Sequence, residues 1–153
     1  IRGRPIIDRD RVFAISNAGV LVSIELRTGR RVWDKEVIGI ESPWIAGNYL
    51  YLLTTESEIA ALSRDDGKVY WVRGLPRYED PEDRKKPIIW TGPILASDRL
   101  IVAGSNQEAL AISPYTGRIL GVIDMPDAVT LAPVVANGSV YFLADDAKLV
   151  TYR

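Results

Sequence analysis

The chain has 153 residues, 47% of them hydrophobic, with 19 Lys plus Arg balanced by 20 Asp plus Glu and neither cysteine nor histidine. That length supports a hydrophobic core, no run of eighteen apolar residues could cross a membrane as a helix, and a net charge of −1 without a basic stripe argues against a nucleic-acid partner. The missing residue types exclude disulfides, Cys or His metal sites, Ser-His-Asp and Cys-His nucleophiles and any imidazole acid or base.

The chain opens with Pro5-Ile-Ile, RVFAIS at 11 to 16, VLVSIEL at 20 to 26 and a Thr28-Gly29 turn before Arg30-Arg31-Val32-Trp33. A second copy runs Pro43-Trp44-Ile45, YLYLLT at 49 to 54, EIAALS at 58 to 63, then Asp65-Asp66-Gly67 before Lys68-Val69-Tyr70-Trp71. A third has Pro93-Ile94-Leu95, RLIVAG at 99 to 104, EALAIS at 108 to 113 and Tyr115-Thr116-Gly117 before Arg118-Ile119-Leu120. The fourth has Pro133-Val134-Val135, SVYFLA at 139 to 144 and KLVTY at 148 to 152, and the chain stops at Arg153. In the first three copies a glycine follows the proline by 24 residues (Pro5 to Gly29, Pro43 to Gly67, Pro93 to Gly117).

Each copy is a set of short β-branched and aromatic runs divided by turn clusters such as Asn17-Ala-Gly19, Ser97-Asp98, Asn137-Gly138 and Asp145-Asp146, and no window carries helical periodicity with caps. Tandem units of about 40 residues, each making a four-stranded antiparallel sheet, are the pattern of propeller blades. The expected fold is therefore an all-β propeller with four blades of eight present, at 5-42, 43-92, 93-132 and 133-153, the last lacking a strand. Gly29, Gly67 and Gly117 are expected as turn residues. Trp33 and Trp71, each four residues after its glycine, are expected to be packing anchors lying across the groove to the next blade, and Gly121 takes that place in the third copy. Asn137-Gly138-Ser139 reads as a hairpin turn, and the basic Arg27 and Arg30-Arg31 group as a solvated one.

One segment breaks the period. Trp33 is followed by Pro43 after ten residues, but Trp71 by Pro93 after twenty-two, and the surplus lies in RGLPRYEDPEDRKKPIIW, residues 73-90. This inter-blade insertion is the candidate partner-binding loop, with Leu75, Arg77, Tyr78, Glu79, Asp80, Glu82, Asp83 and Arg84 as candidate contacts and a first helical turn conceivable after Pro81. A solvated loop whose charges neutralise one another is the competing reading. The carboxylate pairs Asp65-Asp66, Asp145-Asp146 and Glu79-Asp80 fall in turns or loops, where Asp serves backbone hydrogen bonding, so no catalytic residue, cofactor or metal ligand is assigned.

The order of proline, a V-Y-like strand, A-L-S or A-I-S, then T-G-R or D-G-K leading to Trp resembles the repeat of quinoprotein dehydrogenases and their non-enzymatic relatives. Within that group the ending SPYTGRILGVIDMPDAVTLAPVVANGSVYFLADDAKLVTYR is most similar to the C-terminal half of the BamB family, propeller lipoproteins of the outer-membrane β-barrel assembly machinery. The resemblance implies a periplasmic, outer-membrane-associated protein, lipid-anchored through a cysteine outside this sequence. It further implies a non-catalytic scaffold that binds the periplasmic domains of the barrel-inserting subunit and presents sheet edges to unfolded outer-membrane proteins. The family's partner-binding loops lie largely in other blades, and the acidic one falls at or before Ile1, where this chain has Arg2 and Arg4, so those contacts are not carried over. Two alternatives remain at this point: part of a pyrroloquinoline-quinone dehydrogenase, whose adjacent cysteines and metal-binding Glu, Asn and Asp are not seen here, or a generic propeller platform in another envelope complex. Opening on a repeat and stopping inside one, the chain reads as part of a longer protein, with the outer strand of the last blade expected from the N-terminal end of the full polypeptide.

Overall fold

A computed structural model describes residues 4–16, 18–37 and 42–153; Arg2, Asn17 and the rest lie outside the described residues. All regular structure among them is β, in two compact units, residues 1–72 and 73–153.

The first unit holds one antiparallel sheet in the order β1 (Ile6–Asp8), β2 (Arg11–Ile15), β3 (Val20–Glu25), β4 (Arg31–Glu36), and a second in the order β5 (Trp44–Ala46), β6 (Tyr49–Leu53), β7 (Glu58–Ser63), β8 (Val69–Gly74), whose last two residues fall in the second unit. Because side chains alternate across a strand, one face of β2 and β3 turns Phe13, Ile15 and Leu21 inward, where they pack with Leu50, Leu52, Ala60 and Leu62 of the second sheet. Trp33, Val37 and Ile45 close that core at its margin.

The second unit begins with the two-stranded hairpin of β9 (Tyr78–Asp80) and β10 (Lys85–Pro87). The sheet of β11 (Trp90–Ala96), β12 (Arg99–Gly104), β13 (Glu108–Ile112) and β14 (Ile119–Asp124) follows, then the three strands β15 (Val134–Ala136), β16 (Ser139–Leu143) and β17 (Leu149–Tyr152). β12 and β13 are buried on both faces, whereas β14 is exposed along most of its length. Residues of opposite requirement thus sort by strand within each sheet: the middle strands carry the core and the last strand faces solvent.

The periodic glycine has one atomic explanation. In each copy the glycine N–H donates to the carbonyl four residues before it (Gly29 to Glu25, Gly67 to Ser63, Gly117 to Ser113, all 2.9 Å), and that earlier residue's N–H donates to the carbonyl just after the glycine. The closed turn needs positive φ, and the three glycines have φ of 71°, 71° and 69°. The residue before each glycine then accepts a bond from the N–H after it: Thr28 from Arg30, Asp66 from Lys68, Thr116 from Arg118. A short side-chain oxygen at that position is why the motif reads T-G or D-G. Asn137 and Gly138, with φ of 50° and 70°, make the expected tight turn from β15 to β16.

Candidate protein-interaction site

The insertion is an ordered hairpin. Lys85 pairs with Asp80 and Pro87 with Tyr78, and the intervening residues close the turn, with the Asp83 N–H donating to Asp80 Oδ1 at 3.1 Å. No helical turn forms after Pro81. The Asp80 carboxylate caps the bend directly, and Arg84 and Lys86 adopt positive φ of 52° and 53°, which a helix does not allow.

Its base is apolar and fixed. Leu75, Ile88 and Trp90 are buried, Trp90 Nε1 donates to the Pro76 carbonyl at 2.7 Å, and the Ile88 N–H to the Arg77 carbonyl at 2.9 Å. Leu75 is therefore part of the foundation, not a presented contact. Its arm is polar and exposed. Glu79 pairs with Lys86 at 3.0 Å and Asp83 with Lys85 at 2.6 Å, while Tyr78 and Asp80 are half-buried and Arg77, Glu82 and Arg84 are exposed. Four acids (Glu79, Asp80, Glu82, Asp83) face four bases (Arg77, Arg84, Lys85, Lys86), so the hairpin carries both signs at no net charge.

A second constellation, which periodicity gives no reason to expect, lies in the first unit. Arg64 is buried at 3% exposure, yet its guanidinium is fully engaged: Nε donates to Asp8 Oδ2 at 2.5 Å, Nη2 to the Asp8 carbonyl and to Asp10 Oδ1 at 2.9 Å each, and Nη1 to Asp65 Oδ1 at 3.2 Å. The cation also lies 5.7 Å from the Phe13 ring centre. Reciprocal bonds run back: Arg11 Nη1 donates to the Asp65 carbonyl at 2.8 Å, Arg9 Nη2 to the Gly47 carbonyl at 2.6 Å, and Trp33 Nε1 to the Arg64 carbonyl at 3.1 Å. Burial alone would lower the Arg64 pKa, but the bonds to Asp10 and Asp8 outweigh it and hold the group more firmly protonated. Asp10 in turn is held below the usual carboxylate range, first by its bond from Arg64. The cluster ties the β1–β2 turn of the first sheet to the β7–β8 turn of the second.

Trp33 completes that junction. Its ring tilts against Phe13 at 6.0 Å, and a Cβ placed on Gly67 would come within 2.8 Å of ring atom Cε3, so only glycine fits beneath the indole. Gly29 has open space around it and its constraint is the turn alone. Trp71 is half-buried and tilts against Tyr51 at 6.2 Å.

The carboxylate pairs are occupied by their own turns. Asp66 accepts from the Lys68 N–H, and its pKa is lowered by the Ser63 hydroxyl first and that backbone bond second. Asp145 accepts from the Thr130 hydroxyl at 2.8 Å, and Asp146 pairs with Lys148 at 2.6 Å, which lowers the acid and raises the amine.

Comparison with known proteins places this geometry. The profile of a family described as outer membrane protein assembly factor BamB matches residues 1–73. The BamB of Marinobacter adhaerens is 24% identical over 155 aligned positions, covering all of this chain and 37% of that protein. The chain is BamB-like. The crystal structure of BamB from Moraxella catarrhalis superposes with a TM-score of 0.76 at 18% identity, covering 99% of this chain and 46% of that one. The quinohemoprotein alcohol dehydrogenase of Comamonas testosteroni gives a TM-score of 0.67 at 16% identity over 81% of this chain and 21% of that one, a likeness of fold alone. The fold is of the β-propeller type, and the chain spans little more than a third of the length of the Marinobacter relative.

Proposed function

We propose that this chain is part of a non-catalytic scaffold for the assembly of outer-membrane β-barrel proteins, working in the periplasm at the outer membrane and binding the periplasmic domains of the barrel-inserting subunit. The observation that carries the reading is the similarity to outer membrane protein assembly factors along the whole chain. The β9–β10 hairpin supports it as the docking element. It is a firmly based projection in which Tyr78, a half-buried aromatic, is flanked by exposed charges of both signs. Such a surface recognises a partner through charge complementarity at its rim and one amphipathic ring at its centre. Unfolded barrel clients are a second partner class on the same reading, through strand addition at sheet edges.

The test is affinity capture from solubilised envelope with the full-length protein, intact or with residues 79–86 replaced by a two-residue turn that leaves Leu75, Ile88 and Trp90 in place. Retention of the barrel-inserting subunit by the intact protein and its loss on trimming is the expected result. If a folded, intact protein fails to retain that subunit, the scaffold reading falls; if trimming changes nothing, the hairpin is not the dock.

A further inference from the structure

In every four-stranded sheet one cross-strand row spans the three strands after the first, and its occupants decide how the neighbouring groove is filled. In the first sheet the row is Phe13, Ser23 and Trp33, in register, and the indole of Trp33 covers the next sheet's Gly67 turn. In the second it contains Tyr51, Ala61 and Trp71, with the two rings in tilted contact. In the third sheet the row is Ile101, Ala111 and Gly121: both aromatic positions have lost their rings.

A cavity of about 400 Å³ lies there, its lining including Ile101, Ala111, Ile123 and Phe142, which is within the size range of small-ligand clefts. Ile123 shares the Gly121 face, two residues along β14. A Cβ built on Gly121 meets nothing within 4 Å, so the space that an indole occupies in the first sheet is open in the third. Phe142 and Tyr152 form a ring wall, meeting edge to face at 5.9 Å. Arg99 and Arg153 also line the cavity, and neither has an ion-pair partner among the described residues.

We infer that this cavity binds an aromatic carboxylate, its ring seated where the missing tryptophan would lie and its carboxylate held by Arg99 and Arg153. An apolar, ring-walled pocket favours an aryl group, which gains edge-to-face contact with Phe142 beyond simple burial. Two unpaired guanidiniums select an anion and present donors in the planar fork that a carboxylate accepts. The carboxylate comes either from a free aromatic acid or from the C-terminal residue of a peptide, and this assignment is independent of the docking role of the hairpin.

Titration calorimetry of the full-length protein tests it with three probes: N-acetyl-L-tryptophan, its carboxamide, and a short peptide ending in tryptophan with a free carboxylate. The acid binds about fivefold more tightly than the amide, as expected for two exposed charge pairs, and the paired Arg99→Gln and Arg153→Gln substitutions remove that preference. Gly121→Trp fills the site from within and abolishes binding. If that variant melts well below the parent, Ile101→Tyr, which restores the ring found at the matching position of the second sheet, serves as the filled form. Peptide binding equal to that of the free acid identifies a chain terminus as the source, and rejection of the peptide identifies a small molecule. No heat from any probe at millimolar concentration, or unchanged binding in a folded filled variant, overturns the site; equal affinity for acid and amide overturns the role of the arginines.

Discussion

The Arg64 junction and the β9–β10 hairpin are both dense in charge, and they use it oppositely. At the junction one buried guanidinium satisfies two neighbouring carboxylates, a carbonyl and Asp65 at once, and the chain segments it joins are more than fifty residues apart in sequence. In the hairpin each pair is local and exposed, as with Asp83 and Lys85 two residues apart. A buried cation cannot lose a partner without leaving uncompensated charge in the interior, whereas an exposed pair exchanges its partner for water at almost no cost. The first arrangement fixes structure; the second leaves charges free to meet a binding partner.

Breaking the junction separates the two most sharply. Arg64→Ala is expected to destabilise the protein by about 3 kcal/mol, since it strips the bonds to Asp8 and Asp10 and the packing on Phe13 together. Denaturant unfolding measures this, and a loss below about 1 kcal/mol means the cluster is ornamental. Gly67→Ala is next, at about 2 kcal/mol, because the added methyl meets both an unfavourable φ of 71° and the Trp33 ring. Gly29→Ala shares the φ but has open space, so it costs less, and the difference between the two reports the indole contact alone.

Acid sharpens the same contrast. Asp10 has a folded pKa below its unfolded value near 3.9, so its contribution is complete above about pH 5 and is lost as the pH falls through the depressed folded value. Melting temperature followed from pH 6 to pH 2 is expected to fall less steeply in Asp10→Asn than in the parent. Ser23→Ala goes the other way: the Ser23 hydroxyl is buried without a hydrogen-bond partner, and the matching positions in the next two sheets are Ala61 and Ala111. A gain of about 0.5–1 kcal/mol is expected in the same denaturant experiment. Glu79→Gln in the hairpin stands at the bottom of the scale, under about 0.5 kcal/mol.

What the sequence made legible follows from periodicity. The glycine turns and the tryptophans recur at fixed spacing because each copy solves the same closure problem, so the strands and turns could be placed without coordinates. Arg64 occupies a position filled by Leu26 and Pro114 in the flanking copies, and its partners are set by the packing of one sheet on another, which no local pattern encodes. The insertion was visible as surplus length rich in proline, but Lys85, Lys86 and Pro87 carry no strand propensity, and β10 forms because its partner β9 and the buried Ile88 and Trp90 hold it. Gly121 was legible as a departure from the repeat; the cavity beside it required the neighbouring sheet.

The measurement that tests the central claim most directly is the affinity of the purified full-length protein for the periplasmic domains of the barrel-inserting subunit, by biolayer interferometry, with the 79–86 tip present or replaced and thermal melts run in parallel. The account predicts binding that weakens at least tenfold on trimming while the melting temperature stays within a few degrees. Unchanged affinity in a correctly folded trimmed protein would contradict the hairpin as the dock, and no binding by the intact protein would contradict the scaffold itself.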